Sequence, residues 1–298
     1  MVYQKLKFFH RNTLLILFTL FFCDNLFPKD KSSICSSYLE AANYELAFKE
    51  ANLILTKKNN NFDALYCRGQ ANFKLNHYEE AINDFSILKN KADHEDIRLM
   101  STLMLVASMK NLERYDAAIL EIESTLKTNK NKTFGRLLYN NLGDIFFEMN
   151  QLDNSLDYYG KALKLASNDN ERAENYSQIA SVYNSKSEYL KAVDFEIKAN
   201  LGYERLGLLD LYAQSSLNLA TYHLRNNDLI SAEKSILKFE KFSRENGGLY
   251  FLSRALFIES LIYKEMSKFD LSKSKLRQAR EIATEIKADD LMLIYNNY

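Results

Sequence analysis

Along the chain a tyrosine, leucine or phenylalanine recurs with a small residue three positions later, followed by bulky apolar positions. The clearest instance is Tyr78-Glu79-Glu80-Ala81-Ile82, and its equivalents are Tyr44/Ala47, Tyr115/Ala118, Leu152/Ser155, Tyr189/Ala192, Leu229/Ala232 and Phe269/Ser272. Successive markers lie 34, 37, 37, 37, 40 and 40 residues apart, a period of the size that marks stacked supersecondary units. A second apolar pattern precedes each marker, as in Leu65, Gly69 and Phe73 before Tyr78, and Tyr139, Leu142, Gly143 and Phe146 before Leu152. The three- and four-residue spacing within these patterns predicts amphipathic helices, two to each period. Polar stretches at Lys57–Asn61, Lys127–Lys132 and Ser167–Asn170 suit helix ends. Gly247-Gly248 reads as a chain reversal, and no linker is long enough to divide the array.

With these residues in register, the chain resembles the tetratricopeptide repeat family. That pattern runs aromatic, Leu-Gly, aromatic in the first helix of each copy and Ala, aromatic, Ala in the second. The resemblance is fullest over residues 62–95 and 136–169, where Tyr139, Leu142, Gly143, Phe146, Tyr159 and Ala162 all take their places. In the fifth copy Glu196 stands where a bulky residue is usual, and the seventh carries Glu259 and Ser260 at the Leu-Gly sites. The resemblance implies an all-α fold: a right-handed α-solenoid of about seven stacked helix-turn-helix pairs over residues 28–298. Small residues let the helices approach, supplied by Gly69, Gly143, Ala180 and Ala220 on first helices and by Ala81, Ala118, Ala192 and Ala232 on second helices. Each pair then buries its apolar face only by stacking on the next.

Composition agrees, since Pro28 is the sole proline and only 8 glycines occur, too few for the turns of a many-stranded sheet protein. Residues 1–27 read differently from the rest. Lys5, Lys7 and Arg11 lead without any acid into the apolar run from Leu14 to Phe22, the order of a signal peptide or an N-terminal membrane anchor. The run falls short of the roughly 20 apolar residues an ordinary spanning helix needs. The expectation is a chain exported to the periplasm or associated with the membrane of a bacterial cell. Membrane contact would come only through this segment, if it stays uncleaved or is lipidated at Cys23.

Formal net charge is +0 and turns mildly acidic once the N-terminal cations are set aside, so no basic stripe for nucleic acid is expected. The cysteines Cys23, Cys35 and Cys67 show no paired spacing of a zinc or redox site. Cys35 and Cys67 fall on the first helices of neighbouring copies. They could pair in an oxidising compartment, and the plainer expectation is two buried small apolar residues. Of the histidines, His94-Glu95 begins a zinc-protease pattern that fails because Arg98 stands at the second ligand position. Phosphate loops and nucleophile elbows are absent from the sequence. Neither an enzyme nor a cofactor is expected.

By resemblance, certain first-helix positions face a concave groove that takes another protein or a peptide. They are Tyr66, Gln70, Phe73 and Lys74 in the second copy, and Asn140, Asn141, Asp144, Phe147 and Glu148 in the fourth. Ser181 and Asn184, then Leu217, Asn218 and Arg225, then Arg254, Phe257 and Lys264, continue the series. Asn141 and Asn218 stand out, because an amide both donates to and accepts from an extended backbone, although an asparagine serves equally to bond a neighbouring helix. The expected function is a non-catalytic binding scaffold of the cell envelope. The alternative is a sensory or regulatory repeat region of a signalling or transcription-regulator system, suggested by the apolar stretch Asp289–Tyr295, which starts a further helix.

Overall fold

The computed structural model describes residues 34–298; the expected export segment, residues 1–27 with Cys23, lies outside them. The described residues form α-helices joined by short turns, with no strand among them. They divide into two compact units, one ending at Ser124 and the other beginning at Thr125. The first holds α1 (Ile34–Glu40), α2 (Tyr44–Lys57), α3 (Phe62–Lys74), α4 (Tyr78–Lys91) and α5 (Glu95–Asn111), and the unit boundary falls in α6 (Tyr115–Thr128). The second holds α7 (Lys132–Glu148), α8 (Leu152–Leu165), α9 (Asp169–Ser185), α10 (Tyr189–Leu206), α11 (Leu209–Arg225), α12 (Leu229–Asn246), α13 (Leu249–Glu265), α14 (Phe269–Glu285) and α15 (Asp289–Tyr295).

Every sequence marker is the first residue of an even-numbered helix, from Tyr44 of α2 to Phe269 of α14. Two residues before each marker the backbone turns left-handed, at Ala42, Asn76, Glu113, Asn150, Ser187, Asn227 and Ser267. The turn closes with a bond of the Schellman type; His77 N–H donates to the Asn72 carbonyl at 2.8 Å and Gln151 N–H to that of Phe146 at 2.8 Å. At the other end of each pair, asparagines cap the next first helix. Asn61, Asn131 and Asn168 accept from the backbone N–H of Ala64, Phe134 and Glu171 at 2.9, 3.1 and 2.9 Å, satisfying donors that a helix start otherwise leaves unpaired.

Close approach is where the small residues sit. A β-carbon at Gly69 would meet the Phe85 ring at 2.9 Å, so α3 and α4 press together at that point. Around it Leu55, Leu65, Tyr66, Leu88, Met104 and Leu105 make the larger core of the first unit. In the second unit Ala199, Ala213, Ala220, Ala232 and Ala255 alternate with Tyr203, Tyr212, Ile236, Phe239 and Ile262, small against large across facing helices as interlocking cores require.

One expectation is corrected. Cys35 and Cys67 are buried as foreseen, but they are joined in a disulfide with their Cα atoms 6.4 Å apart. The bond lies among buried Ala47, Ala51 and Ala71, with Tyr38, Leu39 and Phe48 partly buried against them, and it adds a covalent tie where the fully buried side chains are small.

Candidate functional site

In a stack of helix pairs the first helices form one row, and here adjacent members of that row touch: α1 meets α3 and α3 meets α5 in the first unit, and α11 meets α13 in the second. In the second unit side chains tie this row together from copy to copy. Asn175 Nδ2 of α9 donates to Asn140 Oδ1 of α7 at 2.5 Å. Arg225 Nη1 of α11 donates to Asn184 Oδ1 of α9 at 2.7 Å, and Arg254 Nη1 of α13 to Gln214 Oε1 of α11 at 2.7 Å. Tyr250 OH of α13 donates to Asp290 Oδ2 of α15 at 2.7 Å. The four bonds span 35 to 41 residues in sequence, one period each, so polar bonds, some of them buried, tie the row from copy to copy.

The structure places four candidate groove residues on α3 in the first unit. Tyr66 is buried with its ring edge-on to Phe85, while Gln70, Phe73 and Lys74 are half-buried and Phe73 meets Tyr78 edge-on at 5.5 Å between centroids. The remaining candidates lie on the second unit's row. Asn141, Asp144, Phe147, Ser181, Asn184 and Arg225 are half-buried there, and Glu148 and Lys264 are exposed. Asn140, Leu217, Asn218, Arg254 and Phe257 are buried and bond or pack between helices. Asn218 accepts from Gln214 of its own helix at 2.9 Å and neighbours Glu196 of α10, and Phe257 stacks on Tyr295 at 4.7 Å and meets Tyr298 edge-on. Asn141 donates to the Leu137 carbonyl of its own helix at 2.9 Å.

Beneath this face lie acids that the groove expectation does not include. Arg136, with no exposed area, donates to Glu174 at 2.7 Å and stands 3.5 Å from Glu171. Burial nevertheless raises the Glu174 carboxyl to about 7, with Arg136 pulling the other way. Glu196 on α10 is also fully buried. It accepts from Ser177 Oγ at 3.2 and 3.3 Å, with Ser215 and Asn218 as further polar neighbours, and burial raises its carboxyl to about 8. No cation opposes that shift. The third acid out of pattern, Glu259, meets Lys275 Nζ at 2.7 Å. Glu196 and Glu259 stand out in the sequence as departures from the repeat. The Arg136–Glu174 pair leaves no such trace, because its partners come from separate copies.

Near the row, His223 sits 3.5 Å from Asp228, and burial holds the imidazole below its usual range despite that carboxylate. Among the described residues no group of three or more His, Cys, Asp or Glu is placed to hold a metal ion, and no helix is long and apolar enough to cross a membrane. The arrangement offers amides, hydroxyls, carboxylates and the held guanidinium of Arg225 along one face, a chemistry of recognition by hydrogen bond and charge.

The sequence pattern of the tetratricopeptide repeat matches residues 137–169, the copy made by α7 and α8. No curated protein matches the chain by sequence. Among solved structures, the C-terminal part of a TPR repeat-containing protein from Cytophaga hutchinsonii is similar at 16% identity. Its TM-score is 0.57, over 86% of this chain and 97% of that one. Aspartyl phosphate phosphatase F from Bacillus subtilis is similar at 15% identity and a TM-score of 0.62, over 88% of this chain and 76% of that one. A Rap protein complexed with Competence and Sporulation Factor is similar at 15% identity and a TM-score of 0.54, over 78% of this chain and 68% of that one. At these identities the likeness is one of fold: all-α, in stacked helical repeats.

Proposed function

We propose that the chain, a stack of helical repeats in which residues 137–169 match the tetratricopeptide pattern, is a non-catalytic scaffold that holds a protein or peptide along the first-helix face, and that it works in the cell envelope after export. The observation that carries the reading is the half-open polar row of Asn141, Asp144, Ser181, Asn184, Thr221 and Arg225, which continues across three copies. Repeat arrays use such extended surfaces for partners, and the Rap protein complexed with Competence and Sporulation Factor is one instance of this fold with a factor bound. Export draws its support from the buried Cys35–Cys67 disulfide, a bond that persists in oxidising compartments and is rare where thiols are kept reduced.

A photo-crosslinking residue at Ser181, compared with one at Ile230 on the exposed side of α12, tests the reading in intact cells. Discrete adducts from position 181 and none from 230 are expected; equal labelling at both positions would overturn it. Intact-mass analysis of fractionated cells tests the location, with a processed or lipid-modified chain expected in the envelope fraction and an unprocessed chain in the cytosol counting against it. The alternative, a sensory or regulatory repeat region, is favoured by one observation: α15 leaves Leu293 72% exposed, an apolar edge suited to a further module. Adducts at Leu293 rather than Ser181 would favour it.

A further inference from the structure

Resting on the peptide-groove reading, we propose that the first-helix face of α7, α9, α11 and α13 holds an extended peptide in one orientation, with a basic segment of the ligand over α7 and an acidic segment over α11 and α13. The argument comes from aligning first helices by their distance to the next marker. One register row reads Leu137, Glu174, Gln214, Arg254; a second reads Asp144, Ser181, Thr221, Leu261; a third reads Phe147, Asn184, Leu224, Lys264; a fourth reads Glu148, Ser185, Arg225, Glu265. On α7 the charged members are the acids Asp144 and Glu148, half-buried and exposed. On α9 the single charged member is Glu174, buried against Arg136, and Ser181, Asn184 and Ser185 present neutral groups. Arg254 on α13 is buried, as Glu174 is, and of the groups that reach the face Arg225 on α11 and Lys264 on α13 outnumber Glu265. The face therefore passes from negative through neutral to positive in helix order.

The geometry of the cations strengthens this. Arg225, half-buried, reaches back to the Asn184 amide on the preceding helix at 2.7 Å, and buried Arg254 makes the corresponding bond to Gln214 beneath the face. A guanidinium already held in place loses less freedom on meeting a carboxylate than a swinging one. Neighbouring helix axes stand about 8–10 Å apart, so four first helices span roughly 24–30 Å. An extended peptide at about 3.3 Å per residue covers that with eight or nine residues. A ligand of uniform charge meets repulsion at one end of the face, and so does a polarised ligand bound backwards.

The test selects random nonapeptides, displayed with free and with amidated C-termini, on the full chain at low and at moderate salt. Enriched peptides are expected to carry Lys or Arg in one half and Asp or Glu in the other. A peptide of the same composition with its charges evenly mixed should bind about tenfold more weakly. A photo-crosslinker on the basic half of the best peptide should label α7, and one on the acidic half α11 or α13. Enrichment that depends on the free carboxylate assigns the acidic end to the peptide terminus, and enrichment that does not assigns it to side chains. Peptides enriched without charge order, or crosslinked in the reverse sense, overturn this proposal alone. No enrichment at all overturns the peptide-groove reading and this one with it. Glu148→Lys, an exposed change, should weaken the best peptide several-fold while leaving the circular dichroism spectrum unchanged.

Discussion

The ring of Tyr159 lies against the backbone of Gly143, so closely that a β-carbon built there would fall 2.5 Å from the ring. The ring cannot retreat, because its hydroxyl donates to Asp144 Oδ1 at 2.6 Å and Ser155 Oγ, one turn away, donates to the Gly143 carbonyl at 2.8 Å. Gly143→Ala is therefore expected to destabilise the second unit by about 1–3 kcal/mol through overpacking, despite alanine's higher helix propensity. Gly160, inside α8, has nothing within 4 Å of the same construction, and Gly160→Ala should stabilise by about 0.5–1 kcal/mol. Denaturant melts of both variants check the pair; equal effects would show that the Gly143 contact yields easily.

A second expectation concerns pH. Glu196 titrates near 8 in the folded chain against an ordinary value of 4.5. Below 4.5 both states hold the proton and the stabilising contribution is fully present. Between 4.5 and 8 the unfolded chain ionises while the folded one keeps its proton, so stability falls as pH rises, and above 8 the loss levels off. The loss is on the order of 5 kcal/mol across that window. Glu174, raised to about 7, adds a smaller loss of the same sign. Glu196→Gln mimics the protonated acid, so its stability should decline less between pH 5 and 8 and exceed that of the wild type at pH 8. Parallel curves for the two proteins would rule out Glu196 as the source.

The helix boundaries were legible in the sequence because a marker such as Tyr78 or Leu152 has a fixed local duty, opening the second helix beyond a left-handed turn. Local periodicity carries that information. What lies between copies is less legible. Arg254 and Phe257 occupy groove-facing register positions yet are buried, since Gln214 of the preceding copy and Tyr295 of the following helix reach over them. The depth of a groove position depends on how far neighbouring copies lean together, which the period of 37 to 40 residues leaves open. Glu196 stood out as a misfit in the pattern. Only the arrangement of Ser177 and Ser215 from two other helices explains how the fold tolerates it.

The disulfide leads to a third expectation. Helix α1 has 7 residues and buries only Cys35, too little for a helix to hold its place unaided. Linking positions 32 residues apart restricts the unfolded chain by about 3–4 kcal/mol. Reduction should lower the stability of the first unit by that order and speed tryptic cleavage at exposed Lys57 and Lys58, which follow α2. Peptide mapping of timed digests reads this directly, and unchanged cleavage at these lysines after reduction would show that the alanine cluster suffices without the bond.

The turns between paired helices offer the last expectation. All seven pass through a left-handed residue, and three of these are asparagine, the residue other than glycine that tolerates the conformation best. Ser187, with φ +62°, has neither advantage. The six-residue closure at its turn, Glu188 N–H to the Tyr183 carbonyl at 2.9 Å, fixes that conformation. A side chain there costs about 1–2 kcal/mol of local strain, part of which glycine would return in greater freedom of the unfolded chain. Ser187→Gly is thus expected to stabilise by about 0.5–1 kcal/mol, and Ser187→Val, whose branched side chain suits the left-handed region worst, to destabilise by more than that. Asn150→Gly, at the equivalent turn, should change stability less than Ser187→Gly does. If melts of the three variants showed Asn150→Gly gaining the most, the conformational strain at Ser187 would not be what limits these turns.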